Sequence, residues 1–108
     1  VTIAVTDTAG HLLGLYREDK AYYLTVELSE KKAAIAVATG LPTDNQRESE
    51  YAYMTHEAGH EADLLPYGYG HPIMKDGVLF GAIGIAGASE FENKDICKYV
   101  LTSHGYDA

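Results

Sequence analysis

Pro72-Ile73-Met74-Lys75-Asp76-Gly77-Val78-Leu79-Phe80-Gly81-Ala82-Ile83-Gly84-Ile85-Ala86-Gly87 reads as two apolar runs joined by Asp-Gly. Asp-Gly is suited to the two positive φ angles of a type I′ turn, whose twist matches that of the strands it joins, so the stretch predicts a β-hairpin over 72–75 and 78–86. Gly81, Gly84 and Gly87 thin the second strand and signal close backbone approach or a bulge. Ser89-Glu90-Phe91-Glu92 follows as a capping box, with Ser89 as cap and Glu92 reaching back. It opens a helix to about Ser103 with Phe91, Ile96 and Val100 toward the core, and Gly105 is placed to end it.

Toward the N-terminus, Val1, Ile3 and Val5 alternate with Thr2, Thr6 and Asp7, the pattern of a strand with one buried face. Asp7-Thr8-Ala9-Gly10 has turn chemistry, and His11 to Tyr16 returns as a second strand. After the charged break Arg17-Glu18-Asp19-Lys20, the pattern from Ala21 to Thr39 turns helical. Leu24, Leu28 and Ile35 lie on one face, widened by Val26, Ala33 and Val37. Gly40 and Pro42 stop this helix. Thr43 or Asp44 can cap a short polar helix to about Met54. Residues 55–71 read as irregular, with Leu64-Leu65 as a short edge strand. The order predicts an α+β fold, an antiparallel sheet of about five strands with helices packed on it, in one domain over 1–108.

Composition narrows the function. Aspartate and glutamate outnumber lysine and arginine by 16 to 8, and the net charge of −8 disfavours nucleic acid and anionic membranes. No apolar run approaches the ~20 residues of a membrane span. Cys97 is the sole cysteine, so there is no intrachain disulfide, and its mid-helix position suits a small buried filler. The chain starts with neither methionine nor signal peptide; something is expected before Val1, and cytoplasm is the working expectation for location.

Six motifs in order resemble one family. Asp7-Thr8-Ala9-Gly10-His11-Leu12 resembles its D-x-x-G-x-L, and Arg17-Glu18-Asp19 its R-x-D. Lys32-Ala33-Ala34-Ile35-Ala36 resembles K-A-x-x-A, and Gly40-Leu41-Pro42-Thr43 resembles G-x-P-T. Gly68-Tyr69-Gly70-His71-Pro72-Ile73 resembles G-G-G-[IL]-P-[IV], and the run from Asp76 to Gly87 resembles D-G-x-x-x-G-A-I-G-V-S-G. The chain is similar, from residue 1 to about residue 97, to the GlcG/HbpS-like family, which includes the C-terminal domain of PduO-type adenosyltransferases. The resemblance implies a profilin-like α+β fold, homo-oligomers and, in several members, heme binding. Two features depart from the pattern. The helix with which members usually begin is absent, so one sheet face needs another cover, such as a separate segment. His71 stands where the family usually has an apolar residue.

Heme needs an apolar slot, an axial ligand and partners for its propionates. Tyr67-Gly68-Tyr69-Gly70 offers aromatic walls, close backbone approach and free amides; His71 is an axial candidate, His11 a second, and Lys32 or Arg17 can pair propionates. The leading expectation is therefore an oligomeric protein that binds heme or a related tetrapyrrole.

His56-Glu57-Ala58-Gly59-His60 offers an alternative. H-E-x-x-H places two histidines on one helix face to hold zinc, with the glutamate polarising water, as in a metal-dependent hydrolase or lyase. The flanks disagree. Gly59 interrupts the motif, Asp63 stands where the metzincin extension needs glycine, and His71 follows His60 by eleven residues instead of six. A weaker version joins His56, His60 and His71 around a transition metal such as zinc. The plainer reading, three solvated or locally hydrogen-bonded histidines, is preferred. A third possibility is a non-catalytic subunit or scaffold partner, suggested by the absent leading helix.

Overall fold

The computed structural model describes residues 1–45 and 68–108. Four strands form one antiparallel sheet: β1 (Thr2–Thr6), β2 (Leu12–Arg17), β3 (Tyr69–Lys75) and β4 (Val78–Ala86), in the order β2-β1-β4-β3. Helix α1 (Leu24–Thr39) packs on one face and α2 (Glu90–Ser103) on the other, and a 3₁₀ turn covers Thr43–Asn45. This is the expected α+β fold. The expected fifth strand at Leu64-Leu65 and most of the helix expected to reach Met54 lie outside the described residues.

The Asp-Gly hairpin forms as its turn chemistry dictates: Asp76 and Gly77 take φ of 51° and 80°, and Lys75 pairs with Val78. Its first strand begins earlier than expected, at Tyr69, so the supposed glycine loop is itself strand. The reason is a side-chain anchor. Thr43 Oγ1 accepts a hydrogen bond from the Gly70 amide at 2.9 Å and pins the strand edge to the 3₁₀ turn. Thr43 holds β3 with the oxygen it was expected to use as a helix cap.

Directly paired residues share a sheet face, so the register sorts the side chains. Ala4, Gly84 and Gly70 lie in one row and face α1. A Cβ added at Gly84 would fall 2.0 Å from the Ser29 carbonyl oxygen, and one at Gly70 would fall 2.2 Å from that of Lys32. The glycines thus admit a helix at very short range. The expected helix face is kept in part. Leu28, Ala33, Ile35 and Val37 are buried as expected, Leu24 is exposed, and Thr25, Ser29, Lys32 and Ala36 are buried as well, because the glycine floor brings the helix close enough to bury its small and polar side chains. The helix also starts at Leu24, three residues later than expected.

Val5, Ile83 and His71 form the neighbouring row, on the opposite face. There Tyr69, Ile83 and Ile85 meet Cys97 and Leu101 of α2, with Ile3, Val5, Ile73 and Val100 around them. The capping box of α2 is present as expected, with Glu92 N donating to Ser89 Oγ at 3.2 Å and Ser89 N donating to Glu92 Oε1. Phe91 points to solvent instead of the core, and Asn93 is fully buried in its place. Asn93 donates to Ala88 O and accepts from Ala88 N, closing the β4–α2 connection. Helix α2 packs over β3 and β4 and leaves β2 open, exposed along all six residues.

Candidate functional site

On the α2 face the register and the helix end build an apolar cleft. The buried stripe of α2 runs through Asn93, Cys97 and Leu101, and three residues beyond Leu101 the same face reaches His104. The helix stops there in a Schellman motif. Gly105 takes φ 80°, its amide donates to Thr102 O, and the Tyr106 amide donates to Leu101 O. The tail then turns back along the sheet, where Asp107 N donates to Met74 O at 2.8 Å. Tyr106 packs edge-on to Phe80, with ring centroids 5.9 Å apart. Between this end and the open half of the sheet lies a cavity of about 390 Å³, lined by Val5, Leu13, Ile73, Phe80, Val100 and Tyr106, with His104 in its wall. Sites for small organic ligands span roughly 300–1,000 Å³ and are mostly apolar with a few polar groups. The cleft meets both conditions.

His71 lies on the same face, directly opposite Ile83, which also lines the cleft. Its Nδ1 is 2.8 Å from Pro72 O. A carbonyl only accepts, so Nδ1 is the donor, and Nε2 is the ring nitrogen left to a metal. The ring is 9% exposed and sits 6.1 Å from that of Tyr69. Lys94 Nζ lies 5.9 Å from the Tyr69 ring and 2.7 Å from Asp44 Oδ2. Burial, then the Asp44 charge, pushes the Tyr69 phenol up, so it stays neutral. The hydrogen bond and charge of Asp44 likewise raise the Lys94 ammonium.

The other expected site residues are dispersed. Lys32 is buried on the α1 face, its stem against Gly68, and Gly70 turns to the same side, so the sheet separates both from the His71 ring. The close approach expected of Gly70 toward a ligand is made by α1, and its amide is held by Thr43. His11 is exposed in the β1–β2 turn, with its ring 3.6 Å from Asp7 Oδ2. It flanks the Leu12–Thr6–Ala82–Pro72 row, three strand spacings from β3. That is about 14 Å of sheet between β2 and β3. Arg17 donates to Ala21 O and braces the following loop. Tyr67, His56, Glu57 and His60 lie outside the described residues. Among the described residues no group of three or more His, Cys, Asp or Glu side chains could hold a metal ion, and no helix is long and apolar enough to cross a membrane. Cys97 is fully buried, and burial pushes its thiol up to about 12, which makes it an inert filler.

His104 escaped the sequence reading. The signal was present, since it continues the Cys97–Leu101 spacing and precedes a helix-ending glycine, but its value depends on the tail folding back over Phe80.

This architecture, an antiparallel sheet between two helices with an apolar cleft on one face, defines a small α+β domain. The chain belongs to the HbpS-like family of haem-degrading proteins, whose family profile matches residues 1–102. It is 27% identical over 109 residues to the corrinoid adenosyltransferase PduO of Salmonella typhimurium, covering 95% of this chain and 32% of that protein. The PduO of Citrobacter freundii is equally similar. The chain thus spans about a third of the length of these curated relatives. Its fold matches the crystal structure of a PduOC–heme complex with a TM-score of 0.80 at 25% identity, covering 98% of this chain and 79% of that one. A double mutant of HbpS from Streptomyces reticuli matches with a TM-score of 0.72 at 27% identity, covering 96% of this chain and 70% of that one.

Proposed function

We propose that this protein binds heme or a related tetrapyrrole in the cleft on the α2 face. The observation that carries the reading is the cleft itself: about 390 Å³ of apolar space with imidazole in its wall, in a fold shared with a PduOC–heme complex. An apolar slot removes the macrocycle from water, and an imidazole nitrogen is a common axial ligand for its iron. The residues fit that chemistry. Val5, Leu13, Phe80, Val100 and Tyr106 supply apolar and aromatic surface, and His71 and His104 are imidazoles of the same sheet face. No lysine or arginine is among the described lining residues, so the carboxylates of a bound porphyrin extend to water, and Lys94 is the cation over the Tyr69 ring.

Titration with hemin, followed at the Soret band, tests the reading. Binding at micromolar protein is expected, and an intact fold that leaves the band unmoved removes it. Leu13 is 67% exposed, so Leu13→Glu should leave the fold intact while placing a carboxylate in the cleft wall. Hemin affinity should fall at least tenfold; an undiminished affinity puts the ligand elsewhere. His11→Ala should leave the spectrum unchanged.

The exposed β2 edge, with Leu12, Leu13 and Tyr16 uncovered, supports a homo-oligomer, since an unpaired apolar edge strand is a ready pairing surface. Sedimentation velocity tests this: a species heavier than the 11.7 kDa chain is expected, and a monomer at tens of micromolar contradicts it. The metal-dependent hydrolase reading rests on His56, Glu57 and His60 alone. Metal analysis of the purified protein decides it, because stoichiometric zinc lost in a His56→Ala/His60→Ala variant would revive it.

A further inference from the structure

We infer that His104, and not His71, is the residue of this chain that ligates the iron of a bound tetrapyrrole; the inference rests on the proposed function of the cleft. Three observations separate the two imidazoles. His104 lines the cavity, whereas His71 does not. The His104 residue is exposed and no described hydrogen bond ties its ring, whereas His71 is 9% exposed, so little of its ring is open to a ligand in the cleft. His104 is also held at a fixed place by backbone alone. It is the C-cap of α2, and its amide donates to Leu101 O, while Gly105 and Tyr106 complete the Schellman motif on either side of the cleft wall. A ligand on a rigid helix end with a free ring can meet a metal at the cost of side-chain rotation only. His71 would have to turn its ring out of its buried place beside Tyr69.

The cleft also separates two contributions to binding. The apolar walls act on the macrocycle whether or not it holds a metal, whereas the imidazole acts on the metal alone. Iron-free protoporphyrin IX therefore reports the walls, and hemin reports the walls plus the ligand.

The experiment titrates the full chain and its His104→Ala and His71→Ala variants with hemin, read by absorbance, and with protoporphyrin IX, read by fluorescence. The wild type should show the spectrum of imidazole-ligated heme. His104→Ala should lose that spectrum and bind hemin at least tenfold more weakly, keep its protoporphyrin affinity within twofold, and regain the imidazole-ligated spectrum when free imidazole is added. His71→Ala should keep the wild-type hemin spectrum. A wild-type hemin spectrum in His104→Ala overturns the assignment while leaving heme binding in place, as does loss of the spectrum in His71→Ala alone. A wild type that binds neither porphyrin overturns the proposed function and this assignment with it. His104→Ala alters an exposed cap side chain, so circular dichroism should show an unchanged fold; should it unfold, His104→Gln, which keeps a polar cap, repeats the test.

Discussion

Gly84→Ala should be among the most damaging single-methyl changes in this protein. The added Cβ falls 2.0 Å from Ser29 O and 2.8 Å from Ala33 N. Comfortable van der Waals separation is about 3.5 Å, so α1 and the sheet must part by about 1.5 Å at that point. Neither partner can yield cheaply. β4 is hydrogen-bonded to β1 on one side and β3 on the other, and lifting α1 would uncover Leu28, Ala33 and Ala36 together. Overpacking that forces backbone shifts costs typically 1–3 kcal/mol and occasionally more; a rigid contact at the sheet centre belongs at the top of that range, about 3 kcal/mol. For a domain of this size that lowers Tm by at least about 12 °C. Gly14→Ala is the internal control. Gly14 lies on the exposed strand β2, and a methyl group added there would meet nothing within 4 Å, so restricting the unfolded chain should raise stability by about 0.4–1 kcal/mol. Urea denaturation followed by circular dichroism compares the two. A Gly84→Ala variant within about 0.5 kcal/mol of wild type would refute the close-packed account of the α1–sheet interface. An unfolded Gly84→Ala beside a folded Gly14→Ala is the same answer at larger magnitude.

Asn93→Ala should cost roughly 1–3 kcal/mol by leaving the Ala88 amide and carbonyl unpaired, measured as a shift in urea midpoint; an unchanged midpoint would mean water replaces the side chain freely. Gly105→Ala should cost about 1–2 kcal/mol, because a Cβ at φ 80° is strained, and should weaken hemin and protoporphyrin IX together by displacing Tyr106. Cys97 should react with a thiol reagent only as fast as the protein unfolds, and reaction in the native state would contradict its burial. Its folded pKa of about 12 lies above the ordinary value of 9.0, so the unfolded state loses its proton first as pH rises. The stabilisation is complete below pH 9 and falls between pH 9 and 12, by up to about 4 kcal/mol. Wild type should therefore lose stability relative to Cys97→Ala across that window, and parallel pH profiles would refute it.

Features set by short-range chemistry were legible in the chain before folding. Asp76-Gly77 dictated the hairpin through its two positive φ angles, Ser89 and Glu92 dictated where α2 begins, and the alternation at Val1, Ile3 and Val5 dictated a strand. The face of that strand buried most deeply is the opposite one, Thr2, Ala4 and Thr6, because α1 covers it while Ile3 and Val5 are only partly covered on the α2 side. The order of these signals sufficed for the α+β fold. Which side chains meet was settled in three dimensions, because it depends on strand register, which alternates faces at every residue. Gly70 and His71 are adjacent in sequence yet face different helices, so Lys32 and His71 fall on opposite sides of the sheet. The polar stripe of α1 was hidden for the same reason, since Thr25, Ser29 and Lys32 become interior only when Gly70 and Gly84 lie beneath them. His104 gained its place from a tail that turns at Gly105 and pairs with Met74, a contact between distant parts of the chain that no local pattern encodes.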